Sequence, residues 1–259
     1  MKIQSVQRAV NILGLFSLSQ PQLGVTEIAR KLGLNKGTAW GLVTTLESNG
    51  LLDQDPKTSK YGLGPKVFEM GLVYVGGLSL NRVAAGPAQR LADSTRLTVW
   101  MGIWDGSAIL VTNHSLPQGS AKTADQIGPK LAAHCSSVGK AALAHLPLEE
   151  LTSWLDRAEL AAFTPSTITD PQTLLADLEE TRRRGYALSR EESLIGQAGL
   201  GAPVFNAAGD LAGVIGVAGR PARKVYQREA ELADELIAAA YEISQSLGYQ
   251  PQAAKALGA

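Results

Sequence analysis

The residues whose types and spacing bear on chemistry fall in two short runs. The first is Lys36-Gly37-Thr38-Ala39-Trp40-Gly41-Leu42-Val43-Thr44-Thr45-Leu46, opened by Asn35. At about 100° per residue of helix, Ala39, Leu42, Val43 and Leu46 gather on one side. Gly37, Gly41, Thr44 and Ser48 take the opposite side, with Thr38 and Thr45 on one flank and Trp40 on the other. An outward face this small and free of acidic groups can approach the edges of base pairs. It carries no Arg, Asn or Gln, so the bidentate base contacts worth ~1–3 kcal/mol each are missing from the helix centre. Thr38, Thr44 and Thr45 offer contacts to thymine methyls. Lys36, with Lys57 and Lys60 further on, suits phosphates better than bases. Trp40 has two readings, a wedge against a sugar-phosphate wall or packing on a neighbouring helix or hairpin. Packing is favoured, because Trp on a helix flank is usually at least half buried.

The second run is Ser136-Ser137-Val138-Gly139, ahead of a helical stretch at 140–146. Backbone N–H groups at a helix start, with the positive end of the helix dipole, favour an anion such as a carboxylate. Ser136 or Ser137 would cap the same helix with no ligand present, and both readings stand. Other chemistry finds little footing. No G-x-S-x-G, P-loop or H-E-x-x-H sequence occurs. His134-Cys135 and His145, with His114 more distant, raise a metal site, but extended neighbours point apart and no carboxylate sits at ligand spacing. Structural roles are expected for them. Glu191-Glu192 reads as a structural or lid pair rather than a general acid and base. Neither catalysis nor a cofactor or metal is expected.

These residues need elements to hold them. Val6, Ala9, Val10, Leu13 and Phe16 make a helical stripe, placing a first helix at 4–18. A short helix around Ile28, Ala29 and Leu32 ends at Gly33, and Asn35 starts the helix described above, which closes at Asn49-Gly50. Leu51–Gln54 and Lys60–Leu63 flank a polar tip and read as a hairpin. Helix, tight turn, helix and hairpin is a layout that presents one helix to a DNA groove. A helix at 65–77 connects this unit to the rest. The second part opens with a helix to about Ser94, then strands at 97–104 and 108–114 joined by Asp105-Gly106. Helices follow at 138–146, 149–156 and 171–184, then strands near 186–190, 201–206 and 211–218, and a closing helix at about 226–247. In the strand at 97–104, Leu97, Val99, Met101 and Ile103 face one side and Trp100 the other. Trp100 and Met101 are candidate cavity walls for a flat apolar ligand, with core packing the alternative.

Bulk properties agree with two modest domains. The chain has 259 residues, 45% of them hydrophobic and 19% charged, and no apolar run long enough to span a membrane. The lone Cys135 fits a reducing compartment, and the N-terminus does not read as a secretory signal, so a cytoplasmic location is expected. Residues 1–66 hold eight Lys/Arg against four Asp/Glu, a net +4; with 24 of each sign in the whole chain, the remainder carries −4. A basic front and an acidic back point to a polyanion met by the front alone.

The run Val25-Thr-Glu-Ile-Ala-Arg-Lys-Leu-Gly-Leu-Asn-Lys-Gly-Thr-Ala-Trp-Gly-Leu-Val-Thr-Thr-Leu-Glu-Ser-Asn-Gly-Leu-Leu52, with Tyr61-Gly-Leu-Gly64, resembles the DNA-binding domain of the IclR family of bacterial transcription regulators. His134-Cys-Ser-Ser-Val-Gly-Lys-Ala-Ala-Leu-Ala-His-Leu-Pro147, Arg184-Gly-Tyr-Ala-Leu-Ser-Arg-Glu-Glu192 and Gly201-Ala-Pro-Val-Phe-Asn206 resemble motifs of that family's effector domain. The similarity runs over about 4–248, in the family's order and spacing.

The resemblance implies an α+β chain: a winged helix-turn-helix at 1–64, a linker helix at 65–78 and a GAF-like effector domain at 79–250, an antiparallel sheet flanked by helices. Residues 251–259 read as a flexible tail. It implies a homodimer or homotetramer, double-stranded operator DNA as partner, and a small organic effector, often a carboxylic or aromatic acid. A repressor is expected; the alternative is a ligand-binding or interaction module that does not touch DNA. Leu131, Ser137 and Val138 match the family's ligand-contacting loop, and Ser189 and Gly199 match polar pocket positions. Two departures stand out. Gly37 and Gly41 replace the family's usual Ser and Arg in the recognition helix, so an unlike operator, or one read more by shape, is expected. Gly199 stands where Cys is common, and Gly216 and Ala218 where some members have Ser, which implies a less polar and roomier pocket floor.

Overall fold

A computed structural model describes residues 2–120 and 130–250; the tail expected at 251–259 lies outside the described residues. The chain divides into two compact units, Met1–Gly77 and Leu78–Ala259.

The first unit begins with helices α1 (Gln4–Leu13), α2 (Val25–Lys31) and α3 (Lys36–Ser48). Strands β1 (Leu52–Gln54) and β2 (Tyr61–Leu63) and helix α4 (Pro65–Gly77) complete it. Ile12, Leu23, Ile28, Val43, Leu46, Leu52 and Tyr61 form its core, so each of α1, α2, α3 and the hairpin contributes. α2 ends at Gly33, whose φ of +63° is the left-handed conformation glycine adopts without penalty. Asn35 caps α3: its Oδ1 accepts from Thr38 N at 2.8 Å. The hairpin pairs Leu52 with Leu63 and Gln54 with Tyr61. α1 stops at Leu13 instead of running to 18. Past Gly14 the chain turns, with Ser17 and Gln20 exchanging backbone hydrogen bonds, and Leu15 and Phe16 pack on the core from this turn.

The second unit is built on a six-stranded sheet in the order β5-β4-β3-β8-β7-β6, antiparallel at every pairing. Helix α5 (Ser79–Thr95) leads into β3 (Thr98–Trp104), β4 (Ile109–Ser115) and the two-residue β5 (Lys130–Leu131). Then come α6 (Ser137–Leu143), α7 (Leu148–Leu155) and α8 (Pro171–Arg184). β6 (Ala187–Arg190), β7 (Ala198–Phe205) and β8 (Leu211–Gly219) follow, and α9 (Arg223–Tyr226) and α10 (Glu229–Ser246) close the unit. α5 and α10 bury the larger cluster, with Leu91, Leu232, Leu236 and Ile243 against Val99, Leu200 and Val217. α6 lies on the opposite face with Val138, Ala141 and Ala142 against Ala187 and Val214, while α7 and α8 meet around Leu151, Trp154, Leu174 and Leu178.

Several element ends differ from the expectation. β7 begins at Ala198, three residues early, because its first five residues are all buried and so give no alternation to read. The closing helix is two, α9 and α10, parted by Gln227 and Arg228.

Candidate functional site

In α3 the apolar seam is Ala39, Val43 and Leu46, all buried. Lys36, Gly37, Trp40, Thr45 and Ser48 are exposed, and Thr38, Gly41 and Thr44 are half-buried. A Cβ built on Gly41 meets no atom within 4 Å, and one on Gly37 meets only Asn35 Oδ1 at 3.6 Å. The hydroxyl protons on this face are committed to the helix itself. Thr44 Oγ1 donates to Trp40 O at 3.0 Å, Thr45 Oγ1 to Gly41 O at 2.7 Å, and Ser48 Oγ to Thr45 O at 2.9 Å. Their oxygens remain acceptors and the threonine methyls remain apolar contacts, in keeping with a surface that meets thymine rather than guanine.

Trp40 departs from expectation. Its side chain is 59% exposed rather than packed on a neighbouring helix or the hairpin. The core of this unit takes Ala39, Val43 and Leu46 from the other side of α3, and residue 40 lies about 100° round the helix from Ala39.

Lys57 and Lys60 stand on the exposed tip of the hairpin. Asp55 Oδ1 accepts from Lys57 N at 2.8 Å and shapes that turn, which holds its carboxyl below the ordinary carboxylate value. None of Lys36, Lys57 and Lys60 is in an ion pair among the described residues. Lys60 lies near Glu27, whose carboxyl is lowered first by the Gly24 N–H and also by that ammonium.

In the second unit a cavity of about 190 Å³ opens between the start of α6 and the sheet. Trp100, Leu131, Ser136, Ser137, Val138, Ser189, Gly199, Gly216 and Ala218 all line it. Met101 does not. It is 1% exposed in the cluster beneath α5 and α10, on the far face of the sheet. Alternation along β3 puts Trp100 and Met101 on opposite faces, and the register Trp100↔Gly216 sets which one meets α6. The wall also includes Ser193, Leu194, Gln197 and Ala198, from the loop between β6 and β7 and the start of β7. The single signal for them in the sequence is the lid reading of Glu191-Glu192 just ahead. Among the described residues, none that lines it is charged.

Glycines let α6 lie directly on the sheet. A Cβ at Gly201 would stand 2.5 Å from Ser137 C and 2.7 Å from Val138 N. One at Gly216 would stand 2.6 Å from Val138 Cγ1, so Val138 fills the room that residue leaves and the floor is not widened there. At Gly199 the nearest side-chain atom would be Ser137 Oγ, at 3.1 Å. Ser136 caps α6: its Oγ accepts from Gly139 N at 3.1 Å and donates to Ala132 O at 2.7 Å. Ser189 Oγ donates to Cys135 O at 2.7 Å. The Trp100 ring lies 5.5 Å from that of its cross-strand partner His114.

The histidines raised for a metal are apart and engaged. His134 Nε2 is 3.0 Å from Ala161 O and its ring lies against Phe163. His145 Nδ1 is 2.9 Å from Ala141 O, and burial pushes its imidazole pKa down. Burial pushes the Cys135 thiol up to about 12, so it is neither a ready ligand nor a nucleophile. No group of three metal-binding side chains gathers among the described residues. No helix among them is long and apolar enough to cross a membrane.

Comparison with known proteins bears on both units. The family model described as the IclR helix-turn-helix domain matches residues 5–56. The model described as the C-terminal domain of the bacterial transcriptional regulator IclR matches residues 72–245. The HTH-type transcriptional regulator XynR of Escherichia coli (strain K12) is 32% identical over 247 residues, covering 95% of this chain and 98% of that one. BhcR of Paracoccus denitrificans is 34% identical over 242 residues, covering 93% and 86%. Among solved structures, the IclR of Thermotoga maritima aligns with a TM-score of 0.71 at 28% identity, over 96% of this chain and 100% of that one. An IclR homolog from Microbacterium hydrocarbonoxydans, complexed with 4-hydroxybenzoate, shares the fold with a TM-score of 0.79 at 22% identity, over 94% and 99%.

Proposed function

The chain belongs to the IclR family of bacterial transcription regulators, and from that premise we propose that it represses transcription by binding operator DNA through α3 and the hairpin, under the control of a small aromatic or similarly sized organic acid held in the cavity against α6. The observation that carries the effector half is the convergence of nine residues named from sequence onto one cavity. A cavity of ~150 Å³ takes benzene when its walls are apolar, so about 190 Å³ suits one substituted ring. Trp100 and Leu131 supply apolar walls, and Ser137 lies at the polar end by the first turn of α6. The described residues of the lining would hold a carboxylate there by neutral donors. The 4-hydroxybenzoate bound by the Microbacterium homolog is a ligand of this size and kind, and relatives named as repressors support the sign of regulation.

The same reading has the protein work in the cytoplasm, by binding rather than turnover, as a homodimer or homotetramer. α4 buries none of its residues, and Phe68, Met70, Leu72, Val73 and Tyr74 are exposed along it. A second copy of the chain is the occupant that would cover so many large apolar groups.

Calorimetric titration with a panel of aromatic and aliphatic acids tests the cavity. Ala218 lines the space with a Cβ already in place, so Ala218→Leu fills it without recasting the backbone. The parent is expected to bind one or more of the acids with micromolar affinity, and Ala218→Leu to lose at least tenfold, or ~1.4 kcal/mol. Equal affinity in both proteins would move the effector elsewhere.

A further inference from the structure

The loop between β6 and β7 makes one wall of the cavity, and a buried charge cluster holds its root. Lys140 lies one turn beyond Ser137 in α6 and is 1% exposed. Its Nζ is 2.7 Å from Glu192 Oε1 in that loop and 3.0 Å from Asp177 Oδ2 in α8. A buried ammonium is tolerated when paired and is strongly unfavourable alone, so the pairing obliges α6 and the root of the loop to stay together. Further bonds fix the same place. Arg190 N donates to Glu192 Oε1 at 3.1 Å. The Thr164 hydroxyl donates to Glu191 O at 2.7 Å, and the Thr167 hydroxyl to Glu192 O at 2.6 Å. Glu191 is held at a φ of +60°, a left-handed conformation that a glutamate keeps only where its surroundings enforce it.

Past the root the ties thin out. Gly196 N donates to Glu191 Oε2 at 2.6 Å, Gln197 N to Leu194 O at 3.1 Å, and Gly196 O accepts from Ala222 N at 2.8 Å, which ties the far end of the loop to the start of α9. Leu194 is 46% and Ile195 67% exposed at the crown, while Ser193, Leu194 and Gln197 border the cavity. One wall of the cavity is therefore clamped at its root, tied at its far end and open to solvent at its middle.

We propose that Lys140 and Glu192 form a latch that fixes the root of this loop, so that residues 193–197 act as a hinged cover over the cavity, and that both are positioning residues for the ligand it holds. The proposal rests on the reading of that cavity as the effector site. Beside Lys140, the Glu192 carboxylate accepts from the Arg190 N–H, which shares Oε1 and carries no charge. Glu192 Oε2 is buried with no hydrogen-bond partner, and Asp177 Oδ2, within ion-pair distance of Lys140, is off the line of a hydrogen bond. One cation thus serves two carboxylates in a site where burial already favours the neutral form of Glu192.

Hydrogen–deuterium exchange on the full-length protein without ligand tests the latch. The probes are the amides of Gly196 and Gln197, which the loop protects by its own hydrogen bonds. In Glu192→Gln, which keeps the shape and removes the charge, both amides are expected to exchange at least tenfold faster. Amides of β7, β8 and α10 should keep their parent rates. Lys140→Met should give the same local pattern, and the double variant should accelerate exchange by less than the product of the two single effects. Parent-like exchange at 196 and 197 in Glu192→Gln would overturn the proposal. So would an increase spread evenly over β7, β8 and α10, which is the signature of general loosening. Since no ligand enters this measurement, its failure would leave the effector reading to stand or fall on the calorimetry.

Discussion

Gly41 leaves open space for a side chain on the outer side of α3, the side proposed to meet the groove. Gly41→Arg should therefore fold normally and change base preference more than affinity. Selection of bound sequences from a random DNA pool checks this; a guanine enriched at one position is expected, since arginine pairs bidentately with its major-groove edge. Motifs identical to the parent's would show that residue 41 does not face bases. The lysines answer to a different measurement. Lys36, Lys57 and Lys60 are exposed and in no ion pair among the described residues. Each Lys→Ala change should weaken binding on every sequence alike and reduce the log–log salt slope by ~0.9. Slopes unchanged in all three variants would remove them from the phosphates. Trp40, exposed on the flank of α3, joins this surface rather than the core.

At the scale of elements, the contact between α6 and the sheet depends on Gly201, where an added methyl would run into the start of the helix. Gly201→Ala should cost ~1–3 kcal/mol, read as a lower midpoint of denaturant unfolding, and should weaken ligand binding as α6 is pushed off the sheet. An unchanged midpoint would mean that the helix start can give way freely. Elements with strong local punctuation are legible in the sequence. α8 runs from Pro171 to Arg184 as expected, because Asp170 caps it, accepting from Thr173 N at 2.7 Å, and Gly185 ends it at a φ of +83°. α3 is legible for the same reason, through Asn35. What depends on distant partners is not. Alternation separates Trp100 from Met101, yet only the pairing of β3 with β8 decides which meets the cavity. The two-residue β5 exists through its pairing with β4 and carries no pattern of its own. Ser193, Leu194 and Gln197 lie in a loop held by distant partners, with Glu192 paired to Lys140, Glu192 O bonded by Thr167 and Gly196 O by Ala222.

The whole molecule is two units, each with its own core, and its charge is divided unevenly between them. The first unit, residues 1–77, holds eight Lys/Arg against five Asp/Glu, a net +3, which leaves −3 for the second, so attraction to a polyanion is expected of the unit that holds α3 and the hairpin. The cavity, whose described lining is uncharged, belongs to the other unit. For a regulator the two must be linked thermodynamically: a ligand that changes operator affinity by some factor has its own affinity changed by the same factor. Fluorescence anisotropy of labelled DNA from the region flanking the gene tests this most directly, with parent and Ala218→Leu each titrated with and without the tightest-binding acid from the calorimetric panel. The account predicts specific binding by both proteins and a shift in the parent's Kd of at least fivefold, or ~1 kcal/mol of coupling, on adding the acid. Ala218→Leu should show no such shift at the same acid concentration. Failure of the parent to prefer this DNA over an unrelated duplex, or an equal shift in both proteins, would contradict it.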